Sequence, residues 1–543
     1  MSSNSVLSKA ETFASSTLSQ LLDYQKYAEN LSIVELKKHV KLGHVAVAVA
    51  LLVASSIYKS LSYPKKLAHI AHVPARKNIR SFLKGETNVD RAKQLFIPLC
   101  LQTKGLVAKY AQFGWEVAVI SPESARTVFR NPDIFQKTES LSLLDPQTLS
   151  IRFLGSNNLA LANGEDWKRR RKIANPAFHR SMPVKAFVDL TGTLLQQIDT
   201  MEGAIDVQPL LQRFTLDVIG RVGFGFEFNA TSTPDGDWVH TYNEVSDNLL
   251  QFPYIFFPIL DTRFRFLFPR RMEKHAKLTV LNNLFNTVIR NKRESLQTSK
   301  GEIEDSEKDL LSLLIESGRG ENDKYEPLTD EELRSELVLF FFAGHDTTAN
   351  SLASTLYFLA ANKAIQDKAR QETLELLGDE PYDASPSNEQ LKNMHYLTLV
   401  IKESARMSPP ASATIHRRAV QDTEISGLFI PKETLVVVDI IANHYNPAYW
   451  KDPNVFNPDR FLEGGEADQQ TPFSSYMPFG GGVRQCIGMN FSLAEQRVAL
   501  SAILKKYELS LPEGSIHTDN LQFGNHLFTL APKDLAINFT KRY

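Results

Sequence analysis

Apolar residues gather in two long runs and elsewhere recur at helical or alternating spacing. The first run, "LGHVAVAVALLVASSIY" at residues 42–58, has no Asp, Glu, Lys or Arg. It sits at the short limit for a helix crossing a bilayer, roughly 17 to 25 residues. The second, "LVLFFFAGHDTTANSLASTLYFLA" at 337–360, follows Thr329-Asp-Glu-Glu332, a Thr N-cap with Glu three residues on. That capping box predicts the start of a long buried helix. "YLTLVIKESARMSPP" predicts another helix, stopped at Pro409 and Pro410. In "EISGLFIPKETLVVVDIIANHYNP", 424–447, clustered β-branched residues around Ser426-Gly427 predict short antiparallel strands. Residues 297–328 read as a surface connection with a helical centre and charged flanks. The fold class is mainly α with a smaller β-rich subdomain, α+β.

The flanks of the first run add an orientation. Lys37, Lys38 and Lys41 precede it, whereas Lys59, Lys65, Lys66, Arg76 and Lys77 follow. The basic excess lies on the C-terminal side, so the bulk of the chain is expected to face the cytosol. This gives a polar extension over 1–41, a transmembrane anchor over 42–63 and a catalytic region over 64–543. A buried core helix is the alternative for the run, and a cleaved signal peptide is disfavoured by its distance from Met1. Asn30-Leu-Ser32 is a glycosylation sequon that this topology puts in the lumen.

With 61 basic against 62 acidic residues, charge gives no reason to expect a nucleic acid partner. The chain has only two cysteines, which excludes a disulfide framework and fits a reducing compartment. One of them stands in "MPFGGGVRQCIGMN", 477–490. Glycines there permit tight turning and close approach of a flat partner. A structural zinc would need three more ligands nearby, and the spacing lacks G-x-G-x-x-G. A thiolate bound axially to haem iron remains, with backbone N–H groups aimed at the sulfur.

Phe479, Gly482, Arg484, Cys486 and Gly488 reproduce F-x-x-G-x-R-x-C-x-G, and in this the chain resembles the cytochrome P450 family. The resemblance implies a single large domain around haem, with Cys486 as iron ligand and Phe479, Gly480 and Gly488 at the cofactor. "AGHDTT" resembles the family's distal A-G-x-[DE]-T-T, matched by Ala343, Gly344, Asp346, Thr347 and Thr348. Taken alone it fits a kinked core helix equally well, since Gly344 costs ~1 kcal/mol in a helix interior and Asp-Thr-Thr competes for backbone hydrogen bonds. By resemblance Asp346 supplies protons and Thr347 holds oxygen and a water.

Glu403 and Arg406 match E-x-x-R, and Arg460 in "FNPDRF" stands where the family places a second arginine against that glutamate. The resemblance makes this trio a structural clamp. Trp167 and Arg171, at i and i+4 in "EDWKRRRK", resemble the W-x-x-x-R helix that binds a haem propionate. A basic surface stretch or import signal is the alternative, against which the tryptophan argues. Arg417 in "ATIHRRAVQD", beside His416 and Arg418, and Arg484 complete the propionate set.

The family implies a membrane-bound monooxygenase of the endoplasmic reticulum that uses dioxygen and hydroxylates a lipophilic substrate. Fungal microsomal members, among which steroid hydroxylation is common, resemble the chain overall. No fused flavin module is visible, so an NADPH-dependent diflavin reductase, with cytochrome b5 as a further donor, is expected to deliver electrons, docking at Lys168, Arg169, Arg170 and Lys172. A haem-thiolate isomerase or lyase is one alternative, disfavoured by Asp346 and Thr347; a haem sensor or electron carrier is another. Expected pocket segments are 137–160, 249–260, Phe340–Phe342, Ala411–Thr414 and 523–528.

Overall fold

The computed structural model describes residues 58–543 except 112, 139–144, 180–181, 235, 250, 252, 255–256, 299–307, 317–325, 471–473 and 525–528, together with Val47, Leu51 and Ser55. Contacts divide the chain into Met1–Ser62 and Tyr63–Tyr543. Most of the expected extension and anchor, 1–63, lies outside the described residues. Among those described, no helix is long and apolar enough to cross a membrane.

Eight helices position the site: α1 (Leu149–Leu154), α2 (Gly164–His179), α3 (Val207–Val218), α4 (Asp237–Leu249), α5 (Pro269–Thr298), α6 (Asp330–Ala361), α7 (His395–Met407) and α8 (Met489–Lys506). The capping box starts α6 as expected. Thr329 Oγ1 accepts the Glu332 N–H at 3.2 Å, and Glu332 Oε2 accepts the Thr329 N–H at 2.9 Å. From there α6 runs for 32 residues and packs against α1, α3, α5, α7 and α8. The loosening expected at Gly344 and Asp346–Thr348 does not occur, and the helix is continuous there. The Thr347 hydroxyl donates back to the Ala343 carbonyl at 2.7 Å, so it satisfies itself inside the helix instead of opening it.

Among the described residues ten short strands form three sheets: β1 (Leu106–Ala111), β2 (Gly114–Val119), β3 (Phe135–Lys137), β4 (Ile205–Asp206), β5 (Arg417–Ala419), β6 (Thr423–Ile425), β7 (Leu428–Ile430), β8 (Leu435–Val438), β9 (Tyr507–Ser510) and β10 (Ala536–Lys541). Their orders are β1-β2-β8-β5-β3, β4-β10-β9 and β6-β7. The β6–β7 hairpin turns at Ser426-Gly427, whose φ values of 49° and 72° match a primed turn. The expected antiparallel pairs form, β6 with β7 and β5 with β8, while the other edge of β8 lies parallel to β2, which is outside that stretch. One expectation needs correction: the strand reading stops at Asp439, whose side chain accepts the Ala442 N–H at 2.9 Å and caps a helical turn over Ile440–His444.

The supposed surface connection is another correction. Its centre is a helix, Leu310–Glu316, in which Leu310 to Ile315 are all buried against α2, α5 and α6. Four leucines and an isoleucine in six positions outweigh the charged flanks.

Candidate functional site

The glycine-rich loop is held by its own backbone. Cys486 N–H donates to Phe479 O at 3.0 Å, and Gly480 N–H to Met477 O at 3.0 Å. Gly480 and Gly482 sit at φ 71° and 66°. At Gly482 a Cβ would also lie 2.6 Å from the Phe129 carbonyl oxygen, so that position admits only glycine. Cys486 presents accessible surface at the mouth of α8. Burial of its surroundings raises the thiol pKa, while the N–H groups of Gly488 and Met489 and the Arg171 guanidinium favour the thiolate.

Four cations converge behind this loop. Arg171, on α2, donates to Gln485 O at 3.0 Å, and Arg484 donates to Ala162 O at 2.7 Å with its guanidinium 4.0 Å above the Trp167 ring. Trp167 and Arg171 thus both meet the cysteine loop, as their i, i+4 spacing requires. Arg417 is buried and donates to Phe135 O at 3.1 Å. His416 is paired with Glu116 at 2.7 Å and Arg418 with Glu433 at 2.8 Å, so Arg417 alone of the three points inward. The fourth cation, Lys137, is one that sequence reasoning missed. It sits opposite Arg417 in the β3–β5 register, and Asn163 ties its backbone down with two 2.9 Å hydrogen bonds.

No carboxylate among the described residues hydrogen-bonds any of these four. Burial disfavours the charge on each of them, and repulsion adds to this at Arg484 and Lys137. Burial, Arg417 and Arg171 push Arg484 down to about 9, and burial pushes Arg417 down to about 10. Lys137 is driven well below its usual range by burial, Arg417 and Arg484. Arg417 Nε and Arg484 Nε are buried donors without a partner. Such a cluster is costly unless an anion with several acceptor oxygens joins it.

On α6, Ala343 is exposed between the half-buried Phe342 and Gly344. Three residues on, Asp346 Oδ1 receives Gln212 Nε2 from α3 at 3.1 Å and lies 3.1 Å from His345 Nδ1. His345 is 2% exposed, and the Tyr242 ring from α4 stands edge-on to it at 5.2 Å. Phe341 belongs to the core, ringed by Phe224, Phe228, Tyr242 and Phe285, and only Phe342 of the expected aromatic trio reaches across to Phe153 of α1.

The Glu403 trio is fully assembled. Arg406 Nε and Nη2 grip the two Glu403 oxygens at 2.7 and 2.8 Å, and Arg460 Nε adds 3.3 Å. From there His444 extends the clamp: Nδ1–H donates to Arg406 O at 2.9 Å and Nε2 accepts the Met477 N–H at 2.9 Å. Met477 opens the cysteine loop, so the clamp acts on that loop through one buried imidazole.

A family model described as Cytochrome P450 matches residues 112–539. The chain belongs to the cytochrome P450 family. It is 32% identical over 366 residues to cytochrome P450 3A29 of Sus scrofa, across 65% of this chain and 69% of that protein. To cytochrome P450 4F5 of Rattus norvegicus it is 32% identical over 388 residues, 67% and 71% of the respective chains. The crystal structure of the cytochrome P450DA heme domain superposes with a TM-score of 0.69 at 26% identity, covering 82% of this chain and 92% of that one.

This cytochrome P450 is therefore a haem-thiolate monooxygenase, an oxidoreductase with haem as cofactor that uses a substrate, dioxygen and a redox partner. The cation cluster fits a haem, whose two propionates supply the acceptors it lacks. Of the docking patch expected on α2, Lys168 and Lys172 are exposed but Arg169 and Arg170 are not available. Arg170 is 3% exposed and bound to Glu336 at 2.7 Å and Asp166 at 3.0 Å, and Arg169 pairs with Glu332 and Asp166. Both are turned inward because α2 packs beside the acidic first turns of α6. Residues 525–528 of an expected pocket segment lie outside the described residues.

Proposed function

We propose that Cys486 would ligate the iron of the haem and that Arg417, Arg484, Lys137, Arg171 and Trp167 would receive its propionates. The observation that carries this is the cluster of one buried and three half-buried cations beside a lone thiol toward which two backbone N–H groups point. When bound, the haem would supply reductive dioxygen activation, and the Cys486 thiolate would add electron density to its iron. The chain's own residues supply position and protons. Phe479, Gly480 and Gly488 shape the loop that presents the sulfur, and Ala343 leaves room on the opposite helix. Asp346 carries protons, and Thr347 Oγ keeps acceptor lone pairs to hold a water or a reacting oxygen. Glu403, Arg406 and Arg460 hold the loop from behind without touching the reacting atoms.

The substrate is a lipophilic small molecule. Phe153 and Phe342 support this, as does an exposed apolar connection near α5 that includes Phe257, Phe266 and Leu267. Steroids are the first class to screen. Electrons come from a separate NADPH-dependent diflavin reductase, with cytochrome b5 as a second donor, and residues 42–63 anchor the protein in the endoplasmic reticulum membrane facing the cytosol. The deciding experiment is the carbon monoxide spectrum of the reduced holoprotein. A thiolate-type Soret band that disappears in Cys486→Ser is expected, and its retention in the serine variant would overturn the assignment.

A further inference from the structure

A second buried ionic cluster lies away from the cysteine loop. Asp261, 1% exposed, follows the short turn Pro258–Leu260 that leads into α5. Arg271 grips it with Nε on Oδ1 at 2.5 Å and Nη2 on Oδ2 at 2.8 Å. His275 Nε2–H donates to Oδ1 at 2.9 Å. The remaining bond crosses to another element: the Leu149 N–H, at the start of α1, donates to Oδ2 at 2.8 Å. Arg271 also reaches Asn248 O on α4 at 2.6 Å, and Ser150 Oγ reaches Leu249 O at 2.6 Å. One carboxylate thus pins α1 to α5, and its arginine and the adjoining serine tie both to the end of α4.

The position of α1 gives this pin a consequence. Phe153 of α1 packs edge-on against Phe342 of α6 at 6.1 Å, one residue before Ala343. On the outer side the connection carries exposed Phe257, Ile259, Phe264, Phe266 and Leu267, an apolar rim where a lipophilic molecule gains by landing. We propose that Asp261 is a specificity-determining residue, the pin of a clasp that sets how fast and how large a ligand passes between α1 and the 257–275 connection to reach α6. The inference rests on the reading that the face of α6 at Ala343 is the ligand site.

His275 makes the clasp sensitive to acid. Its Nδ1 faces Arg152 Nη1 at 2.8 Å and Arg265 Nη1 at 3.0 Å, so it must present a lone pair and the ring must be neutral. A proton on Nδ1 would oppose two guanidinium donors. The charged groups facing the ring are Asp261, Arg152 and Arg265, with Arg271 on the far side of the carboxylate. Burial and the two arginines lower the His275 pKa, which keeps the clasp closed near neutrality.

The test uses reduced full-length holoprotein and two uncharged probes, carbon monoxide and phenyl isocyanide, mixed by stopped flow between about pH 5.5 and 8. Phenyl isocyanide association is expected to quicken on acidification, and in Asp261→Asn to be roughly tenfold faster at every pH, with carbon monoxide association little changed. His275→Gln keeps a donor for Asp261 and cannot titrate, so its isocyanide rate is expected to stay slow and flat with pH. Equal isocyanide rates in wild type and Asp261→Asn would overturn the proposal, as would a wild-type pH profile retained by His275→Gln. If Asp261→Asn fails to fold, the glutamine variant decides alone. Absence of a thiolate-type carbon monoxide spectrum would count against the proposed haem site instead. In that event hydrogen exchange of the 149–154 peptide, faster in His275→Phe than in His275→Gln if the clasp is real and equal in both if not, decides.

Discussion

Lys137 shows what a single side chain costs and returns. In the chain by itself it repels Arg417 and Arg484, so Lys137→Met is expected to stabilise the haem-free protein by about 1 kcal/mol, read by denaturant unfolding. The same change should speed haem transfer to apomyoglobin, because a propionate partner is gone. Opposite signs in the two assays are the signature of a cofactor-holding cation, and equal signs would make Lys137 an ordinary core residue. Asp346→Asn is expected to reduce turnover by on the order of 10²-fold with an unaltered carbon monoxide spectrum. The candidates Cys486 and Asp346 could be singled out from sequence because each stands inside a short local motif. Lys137, Asn163 and Gln212 were not, because each meets the site through pairing of distant segments. The choice of Arg417 lay within reach: alternation along β5 buries Arg417 and Ala419 and turns Arg418 outward.

Among elements, the clamp between α7, the Arg460 turn and the cysteine loop is the most sensitive. All three charged groups are at most 5% exposed, so Glu403→Gln strands two buried guanidinium groups and is expected to cost ~3 to 5 kcal/mol. By comparison Thr329→Ala, which removes one cap of α6, should cost about 1 kcal/mol in thermal unfolding. His444 gives the clamp a pH dependence with a definite sign. Burial and Arg406 lower its pKa from 6.5 to about 3, so the folded state holds it neutral. The unfolded chain takes up that proton below its own value near 6.5. Stability is therefore complete above that pH and declines as pH falls toward 3, by up to about 1.4 kcal/mol per unit. His444→Gln should flatten this slope in urea titrations taken at successive pH values. The trio itself was readable from E-x-x-R and its downstream arginine. Its link to the loop was not, since a histidine inside "ANHYNP" has no local feature that marks it as a bridge between Arg406 and Met477.

At the scale of the molecule, the helical majority and the small sheets followed from periodicity, while the parallel β2–β8 pairing and the buried helix Leu310–Glu316 depended on packing partners that no local window contains. Electrostatics corrected a functional idea too. Charge reversal at Arg169 or Arg170 would break the seam between α2 and α6, so loss of reduction in such variants should track loss of thermal stability and not weaker reductase binding. The cation cluster has a consequence for the life of the polypeptide. A newly made chain lacking its porphyrin carries uncompensated, partly buried positive charge, and that strain is expected to favour partial opening and proteolysis. Intracellular porphyrin supply then governs how many copies survive synthesis, and starvation for it should shorten the half-life of the wild type more than that of Lys137→Met.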